Sequence, residues 1–212
     1  MVQRIQGVVF GVVISLALSF GLGLTAWAEN DTQAVNTTAA KGWLEKFRPT
    51  RLELRTGYGY QDTTPHRPTH YQEAYLSPSL IIPLTGTLGP PWFRGQIEWN
   101  PELSVGSFSS PHVRPLLGFA PVQFHYAFEP VGRWFPYLVG GTGIFLAHIK
   151  SLETESHLNF NSQIGLGTRY AVTDKVSLLV EYRYGHISNA GLNGSDNGIE
   201  MHNFLVGVSM KR

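Results

Sequence analysis

Residues 176–188 read VSLLVEYRYGHIS, and residues 199–210 read IEMHNFLVGVSM. In the first stretch apolar and aromatic side chains fill the even-numbered positions, and His186 and Ser188 continue that parity. In the second stretch Glu200 shares the parity of four apolar residues. Side chains of a β-strand alternate between its two faces. The two stretches therefore predict a β-hairpin that carries all three polar residues at one end of an apolar face.

The same alternation recurs along the chain, at 51–60, 92–105 and 158–170. In each stretch apolar residues alternate with charged, amide or glycine residues. A soluble sandwich would leave the polar face in water, and one strand alone does not exclude that fold. A membrane barrel instead places the apolar face in lipid and the polar face in the lumen.

Counting these stretches and the less regular ones between them gives eight strands. They are predicted at 51–60, 72–82, 92–105, 116–128, 134–148, 158–170, 176–187 and 200–210. An even number closes an antiparallel sheet and leaves no unpaired edge in lipid. The predicted fold is therefore all-β, an eight-stranded antiparallel transmembrane β-barrel.

The interior of a barrel of this size is filled by side chains rather than by an open pore. Parity predicts a buried polar network of Arg51, Glu53, Arg55, Arg94, Glu98, Arg169, Glu181 and Arg183.

Connection lengths predict which ends of the strands meet. The links at 61–71, 106–115, 149–157 and 188–199 are long, whereas 129–133 and 171–175 are short. Long loops on one rim and short turns on the other are typical of outer-membrane barrels. We therefore expect His186, Ser188 and Glu200 on the long-loop rim, and the N-terminus on the short-turn side.

The N-terminal residues resemble an export signal. Arg4 precedes an apolar run at 7–24, and Ala26-Trp27-Ala28 offers a small-x-small cleavage site. We expect a signal peptide at 1–28, with an uncleaved anchor as the alternative. A lead segment at 29–50 and a barrel domain at 51–212 follow. No later apolar run is long enough for a transmembrane helix.

The composition limits the fold class, the catalytic groups and the partners that the chain can have. With 23 glycines and 12% aromatic residues, the chain favours an all-β fold rich in turns. The absence of cysteine excludes disulfides and thiolate catalysis. The formal net charge of +1 gives no reason to expect nucleic acid as a partner. The remaining histidines do not show metal-ligand spacing, so we expect neither a metal nor a cofactor.

The polar end of the hairpin predicts nucleophilic catalysis. A serine hydroxyl needs a base to remove its proton, and a carboxylate commonly orients that base. If the hairpin pairs His186 with Glu200, the carboxylate reaches one imidazole nitrogen and the other faces Ser188. Asn189 and the backbone near Gly191 could donate to an oxyanion. The alternative is an interfacial histidine beside a serine that caps a turn.

The residues around this site carry a family resemblance. The run Tyr184-Gly185-His186-Ile187-Ser188-Asn189-Ala190-Gly191-Leu192, followed by Asn197-Gly198-Ile199-Glu200, resembles the outer-membrane lipid A 3-O-deacylases (PagL-like). That family has a His-x-Ser pair and a glutamate twelve residues after the serine, a spacing that Ser188 and Glu200 keep. The resemblance implies an eight-stranded barrel with His186 as base, Ser188 as nucleophile, Glu200 as orienting acid and Asn189 in the oxyanion hole.

The resemblance also implies a substrate and a location. We expect a serine esterase of the bacterial outer membrane that removes an ester-linked 3-hydroxyacyl chain from lipid A or lipopolysaccharide, without a metal. A phospholipase on the same barrel type is one alternative. A non-catalytic small barrel for adhesion or envelope integrity is another. Acyl-length preference and oligomeric state are not encoded in any recognisable pattern.

Overall fold

The computed structural model describes residues 47–61, 69–150, 155–192 and 198–212, without the side chains of 148–150 and 155–156. The expected signal peptide and most of the lead segment therefore lie outside the described residues. Residues from Pro49 to Lys211 form one compact unit. No helix among the described residues is both long and apolar enough to cross a membrane.

The described residues of this unit form nine antiparallel strands and one short 3-10 helix. The strands are β1 (Arg51–Tyr60), β2 (Gln72–Pro83), β3 (Gly95–Trp99), β4 (Glu102–Ser110), β5 (Arg114–Phe128), β6 (Trp134–Lys150), β7 (Glu155–Ala171), β8 (Val176–Ser188) and β9 (Ile199–Lys211). The 3-10 helix, Pro91–Phe93, precedes β3.

The sheet closes on itself, because β1 pairs with both β2 and β9. Strands β3 and β4 both lie between β2 and β5, so they share one position in the ring. The ring has eight positions, which confirms the predicted eight-stranded antiparallel barrel.

The single strand predicted at 92–105 is wrong, since Asn100 and Pro101 divide it. Pro101 has no N–H to give to the ladder. The Asn100 side chain donates to Leu80 O at 2.9 Å and accepts from Gln123 at 2.8 Å. Together with the backbone hydrogen bonds from Asn100 N to Gln123 O and from Leu80 N to Pro101 O, they hold the break between β3 and β4 to both neighbouring strands.

Two of the links predicted to be long are short. The link expected at 106–115 is only 111–113, and the one expected at 149–157 is only 151–154. Backbone pairing continues beyond the apolar alternation that marks the lipid-facing part of a strand, so the alternation underestimates strand length. The links at 61–71 and 189–198 remain long, and they lie on the same end of the barrel. We call this end the site rim.

The predicted assignment of faces is confirmed on β8. Leu178 and Val180 are 53% and 58% exposed, whereas Leu179 and Glu181 are 1% and 2% exposed. The even-numbered face therefore points outward and the odd-numbered face fills the lumen, as expected for an apolar exterior around a polar interior.

The lumen holds a network of ion pairs. Arg183 donates two hydrogen bonds to Glu102, each 2.7 Å long, and Arg55 donates to the same carboxylate at 2.9 Å. Arg169 bridges Glu53 at 2.5 Å and Glu98 at 3.2 Å. Buried charges are tolerated when they are paired and hydrogen-bonded in this way. The sequence prediction lacked Glu102, which lies just after the break between β3 and β4.

Two members of the predicted network do not belong to its buried centre. Arg94 precedes β3, and its side chain is 51% exposed and lies 4.0 Å from Glu129. This exposure shows that Arg94 does not lie in the lumen. The parity prediction was wrong here because β3 begins only at Gly95. Arg51 is half-buried at the start of β1, where its guanidinium lies 5.8 Å from the centre of the Phe135 ring.

Cysteine labelling tests the two faces. In reconstituted barrels, cysteines at Leu178 and Val180 should react with a membrane-soluble maleimide, because these positions face lipid. A cysteine at Leu179, between them on the same strand, should be protected in the folded barrel and react only after denaturation. Labelling of folded Leu179→Cys together with protection at the other two positions would contradict the assignment.

Candidate active site

His186 and Glu200 face each other across the β8–β9 hairpin. They are direct partners in the register of the two strands. The imidazole Nδ1 lies 2.8 Å from Glu200 Oε1, and the side chains are 43% and 20% exposed. The pairing of His186 with Glu200, on which the predicted catalytic arrangement depends, is therefore present. A carboxylate that accepts from Nδ1–H fixes the tautomer and leaves Nε2 as the basic nitrogen.

Ser188 lies two residues beyond His186 on the same outward face of β8, at the end of the strand. Two residues along a strand separate their Cα atoms by about 7 Å. Within the described part of the chain, no hydrogen bond joins Ser188 to His186. The hydroxyl must turn toward the imidazole for proton transfer, and catalytic hydrogen bonds are often loose before substrate binds.

Asn189 follows Ser188 and is completely buried. Its Oδ1 accepts a hydrogen bond of 2.8 Å from Gly191 N, and its carbonyl accepts one of 3.1 Å from Leu192 N. Ala190 and Gly191 both have positive φ, 54° and 73°. These values and the closing hydrogen bond define a type I′ turn. The turn fixes the orientation of the Asn189 amide directly beside Ser188.

Gly198 also lies at the site, although the sequence indicated it only as a member of the run that resembles the deacylase family. It is buried and has a φ of +68°. A Cβ atom at this position would lie 2.3 Å from Cε1 of His186 and 3.0 Å from its Nε2. Only glycine lets the backbone approach the imidazole this closely. A glycine before a strand normally indicates a turn, so the pattern gave no sign of this contact.

Gln61 is a second residue that sequence reasoning missed. It follows β1 and is 1% exposed. Its Oε1 accepts a hydrogen bond of 2.7 Å from Glu200 N, and its Nε2 donates to Thr69 O at 3.0 Å. The β1–β9 ladder ends at the pair Tyr60 and His202. The Gln61 side chain therefore supplies an acceptor to Glu200 beyond the end of the ladder and holds the start of β9 in place.

An aromatic cluster lies on the same outward face, toward the middle of the barrel. Tyr182 OH lies 2.8 Å from His202 Nδ1, and the His202 ring stacks on Tyr60 with centroids 5.4 Å apart. Tyrosine and histidine rings suit the membrane–water boundary because they combine an apolar body with a polar tip. The catalytic candidates therefore lie on the rim side of this cluster.

The other histidines of the described part of the chain lie apart from the site. Among the described residues, no group of three or more His, Asp or Glu side chains is arranged to hold a metal ion. His125 faces the lumen as predicted and is 1% exposed. It stacks on Tyr137 with a centroid distance of 4.5 Å, and its Nδ1 lies 3.8 Å from Glu98.

The closed ring and the outward-facing side chains define a class: a small outer-membrane-type barrel with a hydrogen-bonded His–Glu pair on its outer surface. Two solved structures share this fold. The outer membrane enzyme PagL matches with a TM-score of 0.56 and 21% identity, over 73% of this chain and 97% of its own. Neisserial surface protein A matches with a TM-score of 0.54 and 15% identity, over 76% and 96%.

The family model of the lipid A 3-O-deacylases (PagL) matches residues 70–209, which is more than half of the chain. The chain therefore belongs to the PagL family of lipid A 3-O-deacylases. No curated protein sequence gives a significant match. The match confirms the family that the residues around His186 and Ser188 resembled.

Proposed function

We propose that the protein is a serine esterase that removes the ester-linked 3-hydroxyacyl chain from lipid A. The observation that carries this proposal is the hydrogen bond between His186 and Glu200 on the outward face, with Ser188 on the same face. A base oriented by a carboxylate and close to a hydroxyl is the arrangement that activates a serine. Membership of the lipid A deacylase family supplies the substrate.

In the proposed reaction Ser188 Oγ attacks the ester carbonyl carbon while His186 Nε2 takes the hydroxyl proton. The tetrahedral intermediate then expels the sugar oxygen, which receives that proton from His186. This leaves an acyl group on Ser188 and releases the deacylated lipid. A water molecule, deprotonated by His186, hydrolyses the acyl-serine and restores the free hydroxyl. Glu200 holds the imidazole and stabilises its positive charge during both halves of the reaction.

The oxyanion is stabilised by the turn after Ser188. The Asn189 Oδ1 accepts from Gly191 N, and the side chain is completely buried, so the amide must turn outward before its Nδ2 donates to the intermediate. Gly191 contributes by holding the amide, and its own N–H reaches an oxyanion only when that hydrogen bond opens. A single donor of this kind typically contributes about 10²–10³-fold to turnover.

The position of the site suits a substrate that stays in the membrane. Because the three side chains point outward at the rim, a lipid can reach them laterally and need not enter the lumen. We place the site rim at the outer leaflet of a bacterial outer membrane, where lipid A lies. Export through the signal peptide at residues 1–28 would bring the chain there.

The product identifies the reaction. Purified barrel should be incubated separately with lipid A and with phospholipid in mixed micelles, and the products analysed by mass spectrometry. Release of one 3-hydroxy fatty acid from lipid A is expected. Release of lysophospholipid instead would identify a phospholipase. A folded barrel that hydrolyses neither substrate would favour a non-catalytic role in adhesion or envelope integrity.

Glu200→Ala should reduce turnover less than the loss of the base or the nucleophile, because water can partly replace an orienting carboxylate. His202 lies on the same face but is a poor replacement for the carboxylate, because Tyr182 OH already lies 2.8 Å from its Nδ1. We expect a loss of about 10²-fold in kcat with little change in KM, consistent with an effect on transition-state stabilisation. Glu200→Gln, which keeps an acceptor for Nδ1–H, should retain more activity than the alanine variant.

A further inference from the structure

Two hydroxyl side chains lie beside His186 on the lipid-facing surface. Ser162 of β7 is the direct partner of His186, and Thr142 of β6 is the direct partner of Ser162. With Glu200 on β9, the four residues form a row across four neighbouring strands. Strands are about 4.8 Å apart, so Thr142 lies roughly 10 Å from His186 along this row. We call Thr142 and Ser162 the hydroxyl pair.

The hydroxyl pair lies among apolar side chains. Ile144 and Phe160 lie toward the rim on the same faces, and Ile164, which is 67% exposed, lies toward the middle of the barrel. Thr142 and Ser162 are themselves exposed. Polar groups that face lipid are costly when their hydrogen-bonding capacity is not used. A polar group of a bound molecule would use the capacity that the pair does not use within itself.

The hydrogen bonding of the pair leaves a donor available to such a partner. Thr142 Oγ1 and Ser162 Oγ lie 3.2 Å apart, and either oxygen can donate. Two hydroxyls carry two protons, and their mutual hydrogen bond uses one. Among the described residues, neither hydroxyl makes a second side-chain hydrogen bond, so the second proton has no acceptor. It can therefore be donated to an oxygen of a bound molecule.

The side chains around the pair are small. Gly140 lies two residues before Thr142 on the same face of β6, and a Cβ atom there would have only one neighbour within 4 Å, Gln163 O at 3.8 Å. Gly140, Thr142 and Ser162 therefore leave space on the outer surface of β6 and β7. Because Ser162 is the direct partner of His186, a molecule that contacts the hydroxyl pair can also reach the imidazole.

We propose that the hydroxyl pair is a substrate-binding subsite that donates a hydrogen bond to a carbonyl or hydroxyl oxygen next to the scissile ester. This inference rests on the proposed function, which places that ester at Ser188 and His186. A sugar lipid with several acyl linkages carries such oxygens about one strand spacing from the reacting carbon. The subsite would orient the lipid across β6, β7 and β8 and select substrates with a second polar linkage.

Binding to an inactive barrel tests the subsite without requiring turnover. The Ser188→Ala variant in detergent micelles should be titrated with lipid A, with native mass spectrometry as the readout. Adding Thr142→Val and Ser162→Ala to this background should weaken binding about tenfold, the effect of losing one good hydrogen bond. Adding Thr168→Val, on the same face of β7 but far from His186, is the matched control and should not change the affinity.

If Thr142→Val and Ser162→Ala do not change the affinity of the Ser188→Ala barrel for lipid A, the subsite is overturned. An equal loss of affinity with Thr168→Val would overturn it as well. In the active barrel, the same two substitutions should raise KM for lipid A and leave kcat nearly unchanged. Failure of the proposed function would look different, because barrel with intact Ser188 would then release no hydroxy fatty acid. The binding titration would still decide the subsite in that case.

Discussion

Ser188→Ala and His186→Ala should each reduce turnover on lipid A by about 10³-fold or more, because the members of one catalytic unit fail together. Without Ser188 no acyl-enzyme forms, and without His186 nothing removes the serine proton near neutral pH. Both variants should still fold, since both side chains lie on the outward face and the lumen network does not involve them. Release of hydroxy fatty acid, followed by mass spectrometry, measures the effect.

The control for these variants is His202→Ala. His202 lies on the same outward face two residues beyond Glu200, and its Nδ1 contacts Tyr182. It should retain most of the activity. Heat-modifiable migration on a gel would verify that each barrel is folded. Double replacement of Ser188 and His186 should be no worse than either single one. Substantial activity in folded Ser188→Ala would exclude the serine mechanism and leave a water activated by His186.

Gly198→Ala should impair catalysis by about 10²-fold, although Gly198 has no side chain that could take part in the reaction. The new Cβ atom would lie 2.3 Å from Cε1 of His186, so the imidazole must move. Movement breaks the 2.8 Å contact with Glu200 and misplaces Nε2. A displacement of about 1 Å in a catalytic group typically costs about 10²-fold in rate. The measurement is kcat and KM on lipid A, with the loss expected in kcat.

A matched glycine separates this contact from backbone strain. Gly132 has a φ of +62°, similar to the +68° of Gly198, but a Cβ atom there would have nothing within 4 Å. Gly132→Ala therefore introduces the left-handed strain alone, about 1–2 kcal/mol. It should lower the thermal midpoint as Gly198→Ala does and leave kcat unchanged. Equal activity in the two variants would show that the imidazole does not depend on Gly198.

The sequence predicted the barrel because a lipid-facing strand must alternate. On β8 the parity of the apolar residues assigned both faces correctly, and the same parity placed His186 and Glu200 on one surface. The break in the third predicted strand was missed because Trp99 and Glu102 both appear to continue the pattern across Asn100 and Pro101. The side-chain hydrogen bonds that Asn100 makes at this break depend on β2 and β5, which are distant in sequence.

The site was predicted only in part, for a related reason. A hairpin register follows from local sequence, so the pairing of His186 with Glu200 could be anticipated. Gln61 contacts Glu200 although the two residues are 139 positions apart in the sequence. A glutamine at the end of a strand forms no distinctive sequence pattern that would indicate this contact. The contact of Gly198 with the imidazole depends on a backbone conformation within the loop. The position of Ser162 beside His186 depends on the pairing of β7 with β8, which the sequence around either residue does not specify.

Mass spectrometry of lipid A from intact cells tests the central claim most directly. Bacteria that make lipid A with a 3-O-linked hydroxyacyl chain should be compared when they express the unaltered protein, the Ser188→Ala variant or neither. The account predicts lipid A that lacks one ester-linked hydroxyacyl chain only with the unaltered protein, and an unchanged lipid A in the other two. Identical lipid A in all three, with both proteins folded in the outer membrane, would contradict it.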